Sequence, residues 1–241
     1  MIDLYKQQTK HNLKLSYPVV LGQAGHMLTH LADNIMVGQL GYLPLAAASF
    51  GHNVFAVFML FGIGLSLGIT PITGKFYGEG DVRGIADTLR HGAVIYPLAG
   101  LLVAGVMLLI IPYFYVFDQP PDVVALTKPY FTLLAYSMIP FLLFLYGKQF
   151  LEGLGRTGPP MVVSLVFNAV NIGLNYLLIY GHLGFPRLGL NGAAYATIVA
   201  KALMALSIIV FIFFSSAFKP YRERFFNWHF RPRLVRHIMQ I

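Results

Sequence analysis

The stretch Leu31-Ala32-Asp33-Asn34-Ile35-Met36-Val37-Gly38 decides how this chain is read. It lies inside an apolar run from Tyr17 to Leu45 and places one carboxylate in a segment long enough to cross a bilayer. An acid at that depth costs ~2.5–3.5 kcal/mol on insertion scales, so it faces the protein interior and marks an ion or substrate path. The structural alternative is a carboxylate hydrogen-bonded to a neighbouring helix. Around Asp33 the composition is that of an integral membrane protein: of 241 residues, 57% are hydrophobic and 11% charged, against about 25% charged in soluble domains. There is no cysteine, which excludes a disulfide framework and a cysteine-based metal site. The polar, basic start, Met1 to Lys14, precedes a long apolar run without a small-residue cleavage site, so the run reads as a retained first span.

Outward from the first span, apolar segments near 16–38, 46–73, 86–112, 124–147, 159–181 and 192–216 predict six membrane helices, each near the ~20 residues that a crossing requires. Gly64 and Gly68 in the second form a candidate close-packing row. The division expected is a cytoplasmic segment 1–15, a six-helix transmembrane lobe 16–216 and a basic, aromatic cytoplasmic linker 217–241. The formal net charge of +8 is unevenly spread. Lys6, Lys10, Lys14, Lys75, Arg83, Arg90, Lys148, Arg156, Lys219, Arg222, Arg224, Arg231, Arg233 and Arg236 fall on one side, fourteen of the 17 Lys and Arg. Lys128 and Arg187 fall on the other, and Lys201 lies within the sixth span. By the positive-inside rule both termini are cytoplasmic. The basic excess is a topology signal and not a nucleic-acid footprint. In the tail, Phe225, Phe226, Trp228 and Phe230 lie close to Arg231, Arg233 and Arg236, which suits an interfacial segment.

Polar residues recur at one depth. Asn168, Asn171 and Asn175 follow i, i+3, i+7 spacing and share one face of the fifth span. Thr197 and Lys201 share a face of the sixth. At about 1.5 Å per residue, Asp33, Asn171, Asn175 and Thr197 reach a similar level. A carboxylate, two amide oxygens and a hydroxyl make an all-oxygen set suited to a hard cation such as Na⁺ or to a hydrated proton; the alternative is three unrelated interhelical hydrogen bonds. His26 and His30, four apart, precede Asp33 on the first helix. The pair lacks the glutamate of the zinc-protease motif and has no third ligand by spacing, so hydrogen bonding or proton relay beside Asp33 is the favoured reading over zinc. Phe50, Phe55, Phe58 and Phe61 are read as packing. Lys201 is too deep to snorkel outward and is expected to act as a counter-charge for Asp33. No nucleophile–base pair or nucleotide-binding loop appears, so the chain is not read as an enzyme and needs no cofactor.

Several motifs in order resemble the multidrug and toxic compound extrusion (MATE) family, in its NorM-like branch. They are Pro18 with Gln23; Asp33 through Gly41; Leu45-Ala46-Ala47-Ala48; Gly62-Ile63-Gly64; Tyr77-Gly78-Glu79-Gly80-Asp81; Glu152-Gly153-Leu154-Gly155-Arg156-Thr157; Asn171 through Tyr176; Tyr180-Gly181; and Gly192-Ala193-Ala194 with Ala196-Thr197. The resemblance implies an all-α membrane protein: a six-transmembrane-helix bundle equal to one lobe, the N-terminal one, of a twelve-helix transporter. It implies efflux of organic cations and drugs across the cytoplasmic (inner) membrane in exchange for Na⁺ or H⁺. Asp33 matches the family's first-helix acid, Asn171 and Asn175 the paired polar positions of the fifth helix, Thr197 the sixth-helix hydroxyl and Pro18 a proline associated with bending. Two features depart from the pattern: many relatives carry Asp where Asn175 stands, and Lys201 is not a family feature. The partners implied are the drug, the bilayer, and a missing C-terminal lobe or a second copy. A flippase of lipid-linked saccharides, a non-transporting truncated lobe and an intramembrane zinc enzyme on His26, His30 and Asp33 are the competing readings.

Overall fold

The computed structural model describes residues 2–225. Phe226, Trp228, Phe230, Arg231, Arg233 and Arg236 of the expected interfacial tail lie outside the described residues. The described chain is helical, with no strand. In order it forms α1 (Ile2–Gly38), α2 (Tyr42–Leu67), α3 (Ile69–Gly78), α4 (Val82–Ile110), a 3₁₀ segment (Ile111–Phe117), α5 (Pro121–Gly153), α6 (Gly158–Tyr180), α7 (Leu190–Phe214), a 3₁₀ turn (Ser216–Phe218) and the short α8 (Lys219–Arg222).

Five stretches are long and apolar enough to cross a membrane: Tyr42–Gly78, Val82–Phe117, Pro121–Gly153, Gly158–Tyr180 and Leu190–Phe214. The first expected span, 16–38, is not among them. It lies on α1, which has the length, but Gln23, His26, His30, Asp33 and Asn34 dilute its hydropathy. α1 also runs unbroken from Ile2, so the expected boundary near residue 15 is not a break in secondary structure. The second expected span, 46–73, is two helices. Pro71 cannot donate to the carbonyl of Leu67, and the ladder breaks one turn ahead of it, at Gly68. The third, 86–112, lies within Val82–Phe117, whose α-helical part ends at Ile110 and continues as the 3₁₀ segment containing Pro112.

α5 is the axis of the bundle. Its 33 residues extend about 50 Å at 1.5 Å per residue, well beyond a hydrocarbon core of about 30 Å. α2, α3, α4 and α7 all pack on it, and Phe131, Leu142, Phe150 and Leu151 are fully enclosed there. Tyr146 donates to the carbonyl of Leu89, and Tyr96 to that of Leu65 at 2.8 Å, tying α5 to α4 and α4 to α2. Close crossings rest on glycine: a Cβ on Gly100 would stand 2.9 Å from the Cα of Ile139, and one on Gly192 would stand 2.6 Å from the carbonyl of Leu178. The row expected at Gly64 and Gly68 does not serve this purpose. Nothing lies within 4 Å of a Cβ on Gly64, Gly68 is the break itself, and it is Gly62 that meets Leu142. α1 lies at the edge of the bundle, packed chiefly on α6.

Candidate functional site

α6 is an apolar helix turned inside out. Its buried residues are Pro160, Asn168, Asn171, Asn175 and Ile179, while Val162, Val166 and Tyr176 are exposed. The interior stripe of a helix in water is apolar; here the asparagines face in and the aliphatics face out, as lipid solvent requires. α1 crosses this stripe at Gly25, where an added Cβ would meet the Leu165 side chain at 2.6 Å. The close approach brings Asp33, about two turns further along α1, against the C-terminal end of the stripe.

There, the Asn175 side-chain amide donates to Asp33 Oδ1 and, at 3.3 Å, to Asn171 Oδ1. Asn175 is fully enclosed, and its carbonyl oxygen has no hydrogen-bond partner. The Tyr180 hydroxyl donates at 2.8 Å to the carbonyl of Met36 and to Gln39 Oε1, fastening the end of α1 to the end of α6. Asp33, Asn171 and Thr197 line one cavity of about 420 Å³, with Asn168, His26, His30 and Lys201 on the same walls. The Thr197 hydroxyl donates at 2.9 Å to the carbonyl of Ala193, one turn back on its own helix. The structure therefore joins Asp33, Asn175 and Asn171 directly and places Thr197 across the shared space. An orphaned amide carbonyl beside a carboxylate and a second amide is an oxygen donor set that a hard cation fits. Pro18 stands within α1, which continues through it.

Lys201 lines the same cavity as Asp33 and has neutral contacts of its own. Its ammonium donates to Ser137 Oγ at 3.2 Å and sits over the rings of Phe55 at 4.4 Å and Phe141 at 4.6 Å. No ion pair within 4.0 Å joins it to Asp33 among the described residues. Asp33 is already taken by Asn175, and the lysine is solvated by a hydroxyl and two π faces, so a direct counter-charge pair does not form. Phe55, read as packing, is half of that clamp. His26 and His30 do meet, with ring centroids 5.2 Å apart, and His52 of α2 joins them at 4.0 Å from His30. No group of three metal-ligating side chains positioned to hold a metal is found among the described residues.

Residues 18–177 match the MatE family. The chain belongs to the MATE family. Similar proteins include the probable multidrug resistance protein NorM of Rhizobium meliloti (strain 1021), 34% identical over 201 residues, covering 83% of this chain and 43% of that protein. The probable multidrug resistance protein NorM of Agrobacterium fabrum (strain C58 / ATCC 33970) is 31% identical over 227 residues, covering 91% of this chain and 48% of that protein. Among solved structures, a MOP superfamily transporter from Pyrococcus furiosus Vc1 (DSM3638) superposes with a TM-score of 0.85 over 96% of this chain and 50% of that one, at 24% identity, a likeness of fold alone. The chain spans about half the length of the curated relatives it matches. The MATE fold is thus present as one helical membrane lobe, and the relatives are transporters rather than enzymes.

Sequence reasoning did not find His52, Ser137 or Phe141 in this MATE lobe. Each comes from α2 or α5; His52 and Phe141 reach the cavity, and Ser137 reaches Lys201 behind it, only through helix crossings that no local spacing encodes. It also passed over a second polar cluster on the cavity wall. Thr70 donates to Gln149 Oε1 at 2.6 Å, and Lys148 stands 3.9 Å from Glu152. The motif at Glu152–Thr157 was a usable signal for it, since a carboxylate and a lysine one turn apart at the end of a membrane helix require partners.

Proposed function

We propose that this chain is the N-terminal lobe of a cation-coupled multidrug efflux antiporter of the inner membrane, both termini cytoplasmic, with Asp33 as the coupling carboxylate. The observation that carries the reading is the Asn175-to-Asp33 hydrogen bond at the wall of the 420 Å³ cavity. It supports the reading because Asp33 lines the cavity while held by a polar group of a second helix. Na⁺ or H⁺ is the exchanged ion. Asp33 supplies the negative charge, Asn175 and Asn171 supply amide oxygens, and Thr197 is a further oxygen facing the same space.

The coupling follows from competition at one site. With the carboxylate free, Asn175 holds α1 to α6 through its amide hydrogens. A cation arriving at Asp33 neutralises the carboxylate and draws the Asn175 carbonyl toward itself. The α1–α6 contact is then remade, and with it the wall of the cavity. An ion that binds one arrangement of the helices more tightly shifts the lobe toward it by its differential affinity. Tyr180 and Gln39 would keep the far end of α1 fixed while this happens.

Asp33→Asn tests the reading because it keeps the shape and removes the charge. Expected in cells expressing the protein is a fall in drug efflux of at least tenfold, with expression and detergent melting near wild type. Efflux retained at the wild-type level overturns the coupling role. Loss of folded protein assigns Asp33 to structure instead.

A further inference from the structure

We propose that Lys201 and its surroundings form a recognition site for an organic anion, and that the cavity takes aromatic carboxylates in preference to cations of the same shape. The proposal rests on the reading of this cavity as the substrate chamber and names the class of molecule it holds. Four Asp, Glu and Lys residues line the cavity: Asp33, Lys148, Glu152 and Lys201. Lys148 and Glu152 pair with each other, and Asp33 and Lys201 are each held by neutral groups. Asp33 accepts from Asn175, and Lys148 and Glu152 stand 3.9 Å apart. Of the two lysines, Lys201 is the one without a carboxylate within 4.0 Å among the described residues.

Its burial makes this consequential. Lys201 is 8% exposed, at a depth where an ammonium requires a partner. An ammonium has three donors. Ser137 can take one of them at 3.2 Å, because its own hydroxyl hydrogen is used on the carbonyl of Leu134 at 2.7 Å. The rings of Phe55 and Phe141 stabilise the charge from two sides without accepting a conventional hydrogen bond. The remaining donor capacity adjoins a cavity whose other walls include Met59, Leu134, Phe144 and Met204. A ligand that completes this site has a negative oxygen for Lys201 and a flat apolar body for the aromatic and thioether walls. An aromatic carboxylate satisfies both. Beside Lys201, a cation of equal size would meet the buried ammonium and be repelled by it.

The test uses the protein in lipid nanodiscs, empty nanodiscs as blank, and equilibrium dialysis with three probes of one shape: 2-naphthoate, 2-naphthamide and 2-naphthylmethylammonium. Expected is binding of 2-naphthoate at least tenfold tighter than of the other two. Lys201→Gln should remove that preference, bringing 2-naphthoate to within about twofold of the amide, and Lys201→Arg should retain it. Equal affinity of the wild type for acid and amide overturns the proposal, as does a Lys201→Gln protein that still prefers the acid. The wild-type comparison needs no variant, so a variant that fails to fold leaves it decisive. An efflux result against Asp33 leaves the dialysis result standing, and loss of acid preference sinks the anion site whatever Asp33 does in efflux.

Discussion

At the scale of single residues, Asn175 carries the most structural weight for its size. One enclosed amide bridges Asp33 on α1 and Asn171 one turn back on α6. Asn175→Ala removes both donations and leaves the carboxylate without that partner. A polar interhelical contact in a membrane protein is worth about 0.6 kcal/mol on average, and stranding a buried acceptor adds about 1–3 kcal/mol. The expected loss is therefore about 2–4 kcal/mol in detergent denaturation, together with a fall in efflux of at least tenfold. Unchanged stability would mean that the bridge contributes nothing to holding α1. The asparagine stripe was legible in the sequence because i, i+3, i+7 spacing fixes a face wherever the helix goes. Lys201 was legible as a buried charge but not as a clamped one. Depth said that it needed partners, and only the crossing of α2 and α5 beside α7 decides that these are Ser137, Phe55 and Phe141 rather than Asp33.

At the scale of elements, apolar runs gave the helices and prolines decided where they end. The expected spans miss the break at Gly68 because the apolar run continues through Pro71 without interruption. Its cost falls on the carbonyl one turn earlier, and the chain here resolves that cost by ending α2. Glycine packing was legible only as a list of candidates, since a glycine allows close approach without choosing a neighbour. Two positions separate the cases. Gly192→Ala drives a Cβ into the Leu178 backbone at 2.6 Å, and backbone cannot move aside as a flexible side chain can. Expected is a destabilisation of about 1–3 kcal/mol, the range for overpacking. Gly64→Ala has nothing within 4 Å and removes a glycine from the last turn of α2, worth at most about 0.5 kcal/mol of stabilisation. Chemical denaturation of both variants in one detergent checks the pair, and equal effects would refute this account of the α6–α7 crossing. Tyr180→Phe is milder. Losing its bonds to Met36 and Gln39 should cost about 1 kcal/mol and raise amide hydrogen exchange at the end of α1, around Ile35 to Gln39.

At the scale of the whole molecule, the outside is lipid-compatible and the loops carry the orientation. α4 presents Leu98, Leu101, Leu102 and Leu109 outward, the last two more than 69% exposed, as expected where hydrocarbon and not water is the solvent. Which face of the lobe looks into the cell is a matter of charge alone. The turn between α3 and α4, Glu79–Asp81, lies between Lys75 and Arg83, whereas the connection from the 3₁₀ segment into α5, Asp118–Pro120, has no basic residue near it but Lys128. Cytoplasmic loops hold the excess of Lys and Arg, so these two connections should lie on opposite sides of the membrane with the α3–α4 turn inside. The chain contains no cysteine, which makes the experiment direct: a single introduced thiol is the sole target of a membrane-impermeant maleimide. Gln119→Cys should label in intact cells, and Gly80→Cys only after permeabilisation. Gln119 is exposed, and both positions are loop sites outside the packed core. The reverse pattern would invert the lobe and place both termini outside. Labelling of both in intact cells would mean that the connection between them, α4 with its 3₁₀ extension, does not cross.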